Sequence, residues 1–425
     1  MADKLFFSRD TKVFITYTSA TGNLNKAWSV PVLDGFSFSQ STNTSEITLN
    51  EMANASGVSR RGRQMFTDSY APAEWSFSTY VRPFVSAGSP TLANGVAGAA
   101  STTHAVEEVL WANFLGAGTY DATNNDFSEF THGNAGAGLD ITFANSNVAK
   151  LGTFDLIFML GTGSTYRIKG CCVNEASLDF DIDGIATINW SGMGSIIEDI
   201  EDLIVRANDA PNAQTSPSTG MGSLWVDSNS AGKYLFIAQA ASGNANWERA
   251  IDEGSTSADT SNFIRNRLTS LAVTNTSGVA GFQTSYDVVL TGGNVTFSNN
   301  MTYLTPETLG VVNQPLGHVT GTRSVSGSFT CYLGADTSSG VDSSSDLFED
   351  IIESTDTITN DFGLAFSVGG AAATPGLVVT VPQAHLEVPT HSLDDVISLE
   401  VNFHGLPTDI NTADEATIKY KGTTL

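Results

Sequence analysis

The strongest constraint on this chain is a set of short segments in which apolar and polar residues alternate, because each half of the sequence carries a similar set. Residues 34–40 read Asp-Gly-Phe-Ser-Phe-Ser-Gln, and residues 75–81 read Trp-Ser-Phe-Ser-Thr-Tyr-Val. In the second half, residues 293–299 read Gly-Asn-Val-Thr-Phe-Ser-Asn, and residues 327–333 read Gly-Ser-Phe-Thr-Cys-Tyr-Leu. Alternate residues of a strand share one face, so these segments predict strands with one buried and one wetted side.

Further similarities follow in the same order in both halves. Each half next has one segment with apolar residues at helical spacing, and acidic residues accompany both segments. The first contains Val106, Val109, Leu110 and Phe114 with Glu107 and Glu108, and the second contains Leu347, Phe348, Ile351 and Ile352 with Asp346, Glu349, Asp350 and Glu353. We expect two short helices, each with an apolar stripe on a sheet and an acidic side in water. Strand patterns at 154–158 and 362–366, then at 188–192 and 401–405, complete the two sets.

The repeated order predicts two tandem β units, over residues 1–205 and 263–425. Each would be an antiparallel sheet with one short helix, closed as a small barrel or a strongly curved sandwich. Alternating Phe, Ser and Thr also occur by chance in unrelated β domains, and this is the alternative. Composition supports the mainly β class, because charged residues make up only 15% of the chain while Gly alone numbers 40.

Residues 206–262 predict a linker and a small β-hairpin module between the two units. The linker, residues 208–220, is rich in Pro, Ser, Asn and Gly. Two apolar strands, at 222–227 and 233–237, and a closing Trp247 follow it. We expect aromatic packing to hold this module together.

The formal net charge of −26 argues against a surface that holds nucleic acid or anionic membrane, because phosphate binding depends on clustered Lys and Arg. Repulsion of polyanions is one interpretation, and simple solubility of an abundant protein is the other. Asp179, Asp181 and Asp183 predict an acidic strand face opposite Leu178, Phe180 and Ile182.

The chain lacks recognisable catalytic or metal-binding motifs. The six His are scattered, no His-Glu-x-x-His or Cys-x-x-Cys occurs, and the three Cys predict free thiols. The Asp179 segment lacks the closing Glu of a calcium loop, since Trp190 stands at its twelfth position. We therefore predict no catalytic residues, no cofactor and no metal, although paired carboxylates of the glycosidase kind depend on the fold and stay open.

One segment reverses the local charge. Arg60, Arg61 and Arg63 precede Met65 and Phe66 in a long polar loop of the first half. Because Arg pairs with carboxylates and stacks on aromatic rings, we predict an inter-subunit contact here, with a solvated basic turn as the alternative.

Residues 28–40, followed by Asn-Thr-Ser-Glu-Ile at 43–47 and Ala-Glu-Trp-Ser-Phe at 73–77, resemble phage tail tube proteins. The resemblance is clearest over the first eighty residues and recurs in the second half. It implies tail-tube-like units, each a curved β sandwich with one helix, of which six complete a ring around a channel. Two units per chain would then give a trimeric ring with pseudo-sixfold symmetry, with a hexameric ring as the alternative. The hairpin module resembles a Gly-x-Leu-Trp-x-Asp unit of phage virion proteins.

The same resemblance implies a non-enzymatic subunit of a hollow conduit for genome delivery, assembled in the host cytoplasm and located in the virion tail. Its partners would be further copies of itself, the tape measure protein, double-stranded DNA passing without specific binding, and sheath, baseplate and tail terminator proteins, but no membrane. Five acidic residues are candidates for the channel wall: Asp179, Asp181, Asp183, Glu387 and Glu400. Other phage structural proteins, such as a baseplate, capsid-decoration or fibre component, and a secreted carbohydrate-binding β protein are the competing interpretations.

Overall fold

A computed structural model describes most of the chain. The described residues are 5–18, 25–47, 56, 64–86, 101–116, 120–121, 126–127, 129–134, 136–143, 151–161, 163–211, 222–227, 234–239, 247–252, 263–276, 283–335, 343–353, 361–370, 375–393 and 396–422. Within them the protein is mainly β, with two α-helices and several 3-10 turns.

The elements are numbered in chain order. The first half contains β1 (Thr11–Thr18), β2 (Asn25–Val30), β3 (Ser37–Ser39), β4 (Thr42–Ile47), β5 (Gln64–Tyr70), β6 (Ala73–Tyr80), β7 (Pro83–Val85), β8 (Thr103–Ala105), α1 (Glu108–Phe114), β9 (Tyr120–Asp121), β10 (Asp126–Phe127), β11 (Thr131–His132), β12 (Leu139–Thr142), β13 (Phe154–Leu160), β14 (Thr165–Phe180), β15 (Thr187–Gly194) and β16 (Ile197–Asp199). The middle segment contains β17 (Ile204–Ala207), β18 (Leu224–Asp227), β19 (Tyr234–Ala238), β20 (Trp247–Arg249) and β21 (Ile251–Asp252). The second half contains β22 (Ser270–Asn275), β23 (Ser285–Val288), β24 (Leu290–Ser298), β25 (Thr302–Leu304), β26 (Gly317–Val319), β27 (Ser324–Tyr332), α2 (Ser344–Glu353), β28 (Asp361–Val368), β29 (Gly376–Leu386), β30 (Thr390–Leu393), β31 (Ile397–Leu406) and β32 (Thr417–Lys421).

Strand pairing follows one scheme in both halves. In the first half β2 pairs with β1, β1 with β13, β13 with β14, β14 with β15, β15 with β6, and β6 with β3. In the second half β23 pairs with β22, β22 with β28, β28 with β29, β29 with β31, β31 with β27, and β27 with β24. All these pairings are antiparallel.

The register differs from the sequence alignment of the two halves. Phe77 lies opposite Trp190, and Gly327 lies opposite Phe403, so matching Trp190 with Phe403 makes Phe77 and Gly327 equivalent. The sequence matched Trp75 with Gly327, so this match and the match of Trp190 with Phe403 differ by two residues and cannot both hold. A strand pattern with period two looks the same after a shift of two residues, so alternation alone could not settle this choice.

The two halves are joined by a strand pairing. Residues 175–180 of β14 pair antiparallel with residues 293–298 of β24, while the other edge of β14 pairs with β15. The sheet therefore runs without a break through β3, β6, β15, β14, β24, β27, β31 and β29. The C-terminal strand β32 adds a second connection, because it pairs with both β12 and β29.

A single large core lies beneath this sheet. The largest of its fully buried side chains are aromatic: Trp111, Trp190, Tyr420, Phe114, Phe158, Phe297, Phe329, Phe362, Phe366 and Phe403. Trp111 of α1 contacts Trp190 and Phe297 edge to face, so it packs on strands from both halves. Its indole nitrogen donates a hydrogen bond to the Tyr420 hydroxyl at 2.7 Å.

The two helices differ from their predicted exposure. Val109, Leu110 and Phe114 of α1 are buried as expected, but Glu107 and Glu108 are buried too. The prediction of a wetted acidic side is therefore wrong for α1, because His104, His132 and Tyr420 cover that side. In α2, Leu347 and Ile351 are buried while Ile352 is exposed.

The middle segment forms a third layer on the first half. β17 to β20 make a four-stranded sheet in which Trp225 contacts Trp247 edge to face. Leu224, Val226, Leu235 and Ile237 pack in one cluster with Phe14, Ala27, Ile157 and Met159 of β1, β2 and β13. The opposite face of those same strands belongs to the large core. The module thus lies on the side of the first half away from the continuous sheet's outer face.

Gly192 of β15 offers a test of this close packing. A Cβ at this position would fall on the Cys172 carbonyl oxygen and the Trp75 indole. We expect Gly192→Ala to destabilise the fold by roughly 1–3 kcal/mol and to lower the melting temperature in circular dichroism, because backbone and a buried ring cannot yield cheaply.

The neighbouring Ser191→Ala is the matched control, since Ser191 lies on the opposite, partly exposed face of the same strand. Equal melting temperatures for the two variants would contradict the packing described here.

Candidate functional site: a continuous polar sheet face

The outer face of the continuous sheet is mostly polar, although exposed Tyr332 and Leu406, at the ends of β27 and β31, also lie on it. The register brings the outward residues of successive strands side by side, and we call this set the polar face. It comprises Ser37, Ser39, Glu74, Ser76, Ser78, Asn189, Ser191, Glu175, Ser177, Asp179, Asn294, Thr296, Ser298, Ser324, Ser326, Ser328, Thr330, Glu400, Asn402, His404, His385 and Glu387. The alternate residues of the same strands point into the large core.

Side-chain hydrogen bonds connect neighbouring strands across the polar face. The Ser78 hydroxyl donates to Oδ1 of the Asn189 side chain at 2.6 Å, and Nδ2 of the same side chain donates to the Asp179 carboxylate at 2.8 Å. The hydroxyls of Ser177 and Thr296 lie 3.1 Å apart, across the junction between the two halves. The polar side chains therefore hold one another in place, and Asp179 takes part in the network.

The charge of the polar face has one sign. It carries the carboxylates Glu74, Glu175, Asp179, Glu387 and Glu400 and contains no Lys or Arg among the positions given above. Hydrogen bonds from Asn402 and His404 to Glu387 hold the pKa of that carboxyl below its usual value. Glu387 therefore stays ionised at neutral pH.

The five acidic residues proposed from the sequence fall into two groups. Asp179, Glu387 and Glu400 lie on the polar face. Asp181 and Asp183 lie beyond the end of β14, in the exposed turn before β15, where Asp183 pairs with Arg267 at 3.5 Å. Ile182 is exposed as well, so the predicted strand alternation ends at Phe180.

The edge of the continuous sheet in the first half is β3. Among the strand pairings of the described residues, β3 pairs only with β6. At the opposite end of the sheet, β29 and then β30 lie along β31. The sheet thus has two different ends, as head-to-tail strand pairing around a ring of identical chains would require.

Two hairpins project from the sheet and carry exposed apolar residues. β4 pairs with β5, where Met65 and Phe66 are 59% and 53% exposed. Arg60, Arg61 and Arg63, which precede them, lie outside the described residues. β25 pairs with β26, and the connection between them exposes Leu309, Val311 and Leu316. The two hairpins meet where the Tyr70 amide donates to the Asn313 carbonyl at 2.9 Å.

A buried polar cluster was missed by the sequence analysis. His104 and His132 both contact the Glu108 carboxylate, at 3.0 Å and 2.8 Å, and their rings lie 4.5 Å apart. The sequence contains little sign of this cluster, because a long connection separates His132 from α1. The spacing of His104 and Glu108, four residues apart, is the only signal in the sequence.

The chain is similar to a known phage protein along nearly its whole length. No protein-family model matches the chain. The chain is 28% identical over 423 residues to the tail tube protein pb6 of Escherichia phage T5, an alignment that covers 98% of this chain and 77% of that protein. Among the described residues, no helix is long and apolar enough to span a membrane. Similarity along nearly the whole chain, combined with the mainly β fold, supports a structural subunit of a phage tail tube.

Proposed function

We propose that three copies of this chain close into one ring of the tail tube and that the polar face lines the channel. The observation that carries the proposal is the junction between β14 and β24, which shows how one half pairs with the next through strand edges. Repeating the same junction between chains would continue the sheet around a closed ring. The subunit would then be a wall element without catalytic activity.

The common pairing scheme supports a division into two tail-tube units, residues 1–205 and 263–425, with a module at 206–262 between them. Each series contains six pairings in the same order. If a ring needs six such units, three chains supply them. The module, packed on the far side of the first unit from the polar face, would lie on the outside of the tube, where it leaves the channel open.

The register of the internal junction predicts the register between chains. Ser177 lies opposite Thr296 and Asn189, and Glu387 lies opposite Asn402. If Asn189 and Asn402 are equivalent, as the sequence match of β15 with β31 has it, Glu387 is equivalent to Ser177 and Ser37 to Thr296. Glu387 of one chain would therefore lie opposite Ser37 of the next. Both residues belong to the polar face, so the face would continue across the contact between chains.

A channel lined by the polar face suits the passage of DNA. Fixed carboxylates repel phosphates, and the absence of Lys and Arg from the face leaves no cation to hold them. Screening limits this repulsion to about 8 Å at physiological salt, so it acts close to the wall. Asp179, Glu387 and Glu400 would act on the wall, while Asp181 and Asp183 would act from the turn at the end of β14.

We assign the two hairpins to contacts between stacked rings. Met65, Phe66, Leu309, Val311 and Leu316 present apolar side chains to solvent on neighbouring projections, and exposed apolar groups of this size favour burial against a partner. The Arg cluster at 60–63 would face acidic groups of the adjacent ring. Other partners would be the tape measure protein inside the tube and sheath, baseplate or terminator proteins around it, with assembly in the host cytoplasm.

The ring proposal is tested by a disulfide between chains. In the double variant Ser37→Cys with Glu387→Cys, oxidation should give covalent closed trimers on a non-reducing gel, because opposite residues of paired strands lie within disulfide range. The native cysteines will not interfere, since Cys171, Cys172 and Cys331 are buried and burial raises their pKa.

The matched control is Ser78→Cys with Glu387→Cys, which places the first cysteine on β6, one strand further from the edge. Covalent hexamers would show that the ring contains six chains and would contradict the trimeric ring. Monomers in both variants, or equal cross-linking in both, would overturn the proposed contact.

The role of the wall charges is tested in an assembled phage. Asp179→Asn, Glu387→Gln and Glu400→Gln together should leave tubes intact but slow genome ejection, because phosphates then meet less repulsion along the wall. A suitable comparison is Asp202→Asn, which removes an exposed carboxylate outside the polar face. Ejection at the wild-type rate would count against an electrostatic role for the wall.

The stacking role of the hairpins is tested by assembly. Reversal of Arg60, Arg61 and Arg63 to Glu, or separately Met65→Ser with Phe66→Ser, should abolish tubes in electron micrographs while leaving folded subunits. Leu268→Ser removes an equally exposed apolar side chain elsewhere and should assemble normally. Normal tubes from both hairpin variants would show that these residues take no part in the stacking contact.

A further inference from the structure

The buried cluster around Glu108 joins three separate elements of the first half. His104 lies on β8, Glu108 begins α1, and His132 lies on β11. Their side chains are 1%, 6% and 5% exposed. Burying three ionisable side chains together is costly unless each is neutralised or bound, so this arrangement calls for a specific reason.

The nitrogen atoms of the two imidazoles converge on one carboxylate. His104 Nδ1 lies 3.0 Å from Oε2 of Glu108, and His132 Nε2 lies 2.8 Å from Oε1. One ligand atom from each residue can be chosen so that all three lie within 4.8 Å of one another. Ligands of a single tetrahedral ion with bonds near 2 Å lie roughly 3–3.5 Å apart, so binding one ion would draw these ligand atoms together by up to roughly 1.5 Å.

The far nitrogen of His104 is already oriented. His104 Nε2 lies 3.0 Å from the Thr102 hydroxyl, which leaves Nδ1 directed at Glu108. An outer hydrogen bond of this kind fixes ring orientation and tautomer in metal-binding histidines. Phe84 stacks on the His104 ring at 5.8 Å and helps to hold it in place.

We propose that His104, Glu108 and His132 form a binding site for one divalent transition-metal ion, with Zn²⁺ as the best-fitting representative. Two imidazoles and one carboxylate are a donor set that zinc uses in proteins, and other first-row divalent ions accept the same set. A bound ion would connect β8, α1 and β11, which are short elements with few ladder hydrogen bonds of their own. Its role is structural, in the wall of the first unit beside the C-terminal strand β32, which pairs with β12.

The competing explanation is a proton network without metal, in which each imidazole donates a hydrogen bond to the carboxylate. In both explanations the buried carboxylate has bonding partners, but only the metal site predicts saturable metal binding. The test uses full-length protein freed of any affinity tag, dialysed against a chelator and then titrated with ZnCl₂ in a calorimeter. We expect one ion per chain and a higher melting temperature with zinc.

Substitution of Co²⁺ for zinc gives a second readout. Bound Co²⁺ should show visible absorption bands of a low-coordinate site, which a hydrogen-bonded network cannot produce. His132→Asn and Glu108→Gln should each lower zinc affinity at least about tenfold and weaken these bands. His404→Ala, which breaks an exposed histidine–carboxylate pair elsewhere, should leave both measurements unchanged.

The wild-type titration decides the matter even if a variant fails to fold. Absence of saturable zinc binding and of Co²⁺ bands in the wild-type protein would overturn the metal site in favour of the proton network. If the folded His132→Asn and Glu108→Gln variants still bind zinc with wild-type affinity, the ion binds elsewhere, and the proposed site is overturned as well. Ring formation is measured separately by the disulfide experiment, so either proposal can fail without the other.

Discussion

The antiparallel pairing of β14 with β24 governs the architecture, because it makes one sheet out of strands from both halves. β14 is 16 residues long, and its two parts have different partners. Its first part pairs with β13 and β16, and its second part pairs with β15 and β24. A register shift between Val173 and Glu175 marks the change. Without this long strand, the polar face would divide into two unrelated patches, and no template would exist for pairing between chains.

Many of the strands could be predicted from the alternation of apolar and polar residues along the sequence. The strands around Phe38, Phe77, Phe297 and Phe403 occur where the pattern predicted them, and the order of elements matches in the two halves. The register of strand pairing was harder to predict, since a pattern that repeats every two residues looks the same after a shift of two residues. Gly327 illustrates the difficulty: its place opposite Phe403 follows from close packing, because a Cβ there would strike the Phe403 ring and the Asn294 carbonyl.

The third layer and the buried cluster depended on contacts that no local pattern records. The apolar residues from Leu156 to Met159 were predicted only as a strand, and the structure places one face of it in the large core and the other against the module. The burial of Glu108 was not predicted either, since Glu is rarely buried unless it is paired. Its burial depends on His132, which reaches it from β11 after a long connection.

The side chains of the polar face are mostly hydroxyls and amides, with carboxylates spaced among them. Such groups donate and accept hydrogen bonds in several directions, so they hold a layer of water as firmly as they hold one another. A solute sliding along this face would touch water before it touched protein. Resistance to its movement would then depend on how quickly that hydration film rearranges, as well as on the carboxylates beneath it.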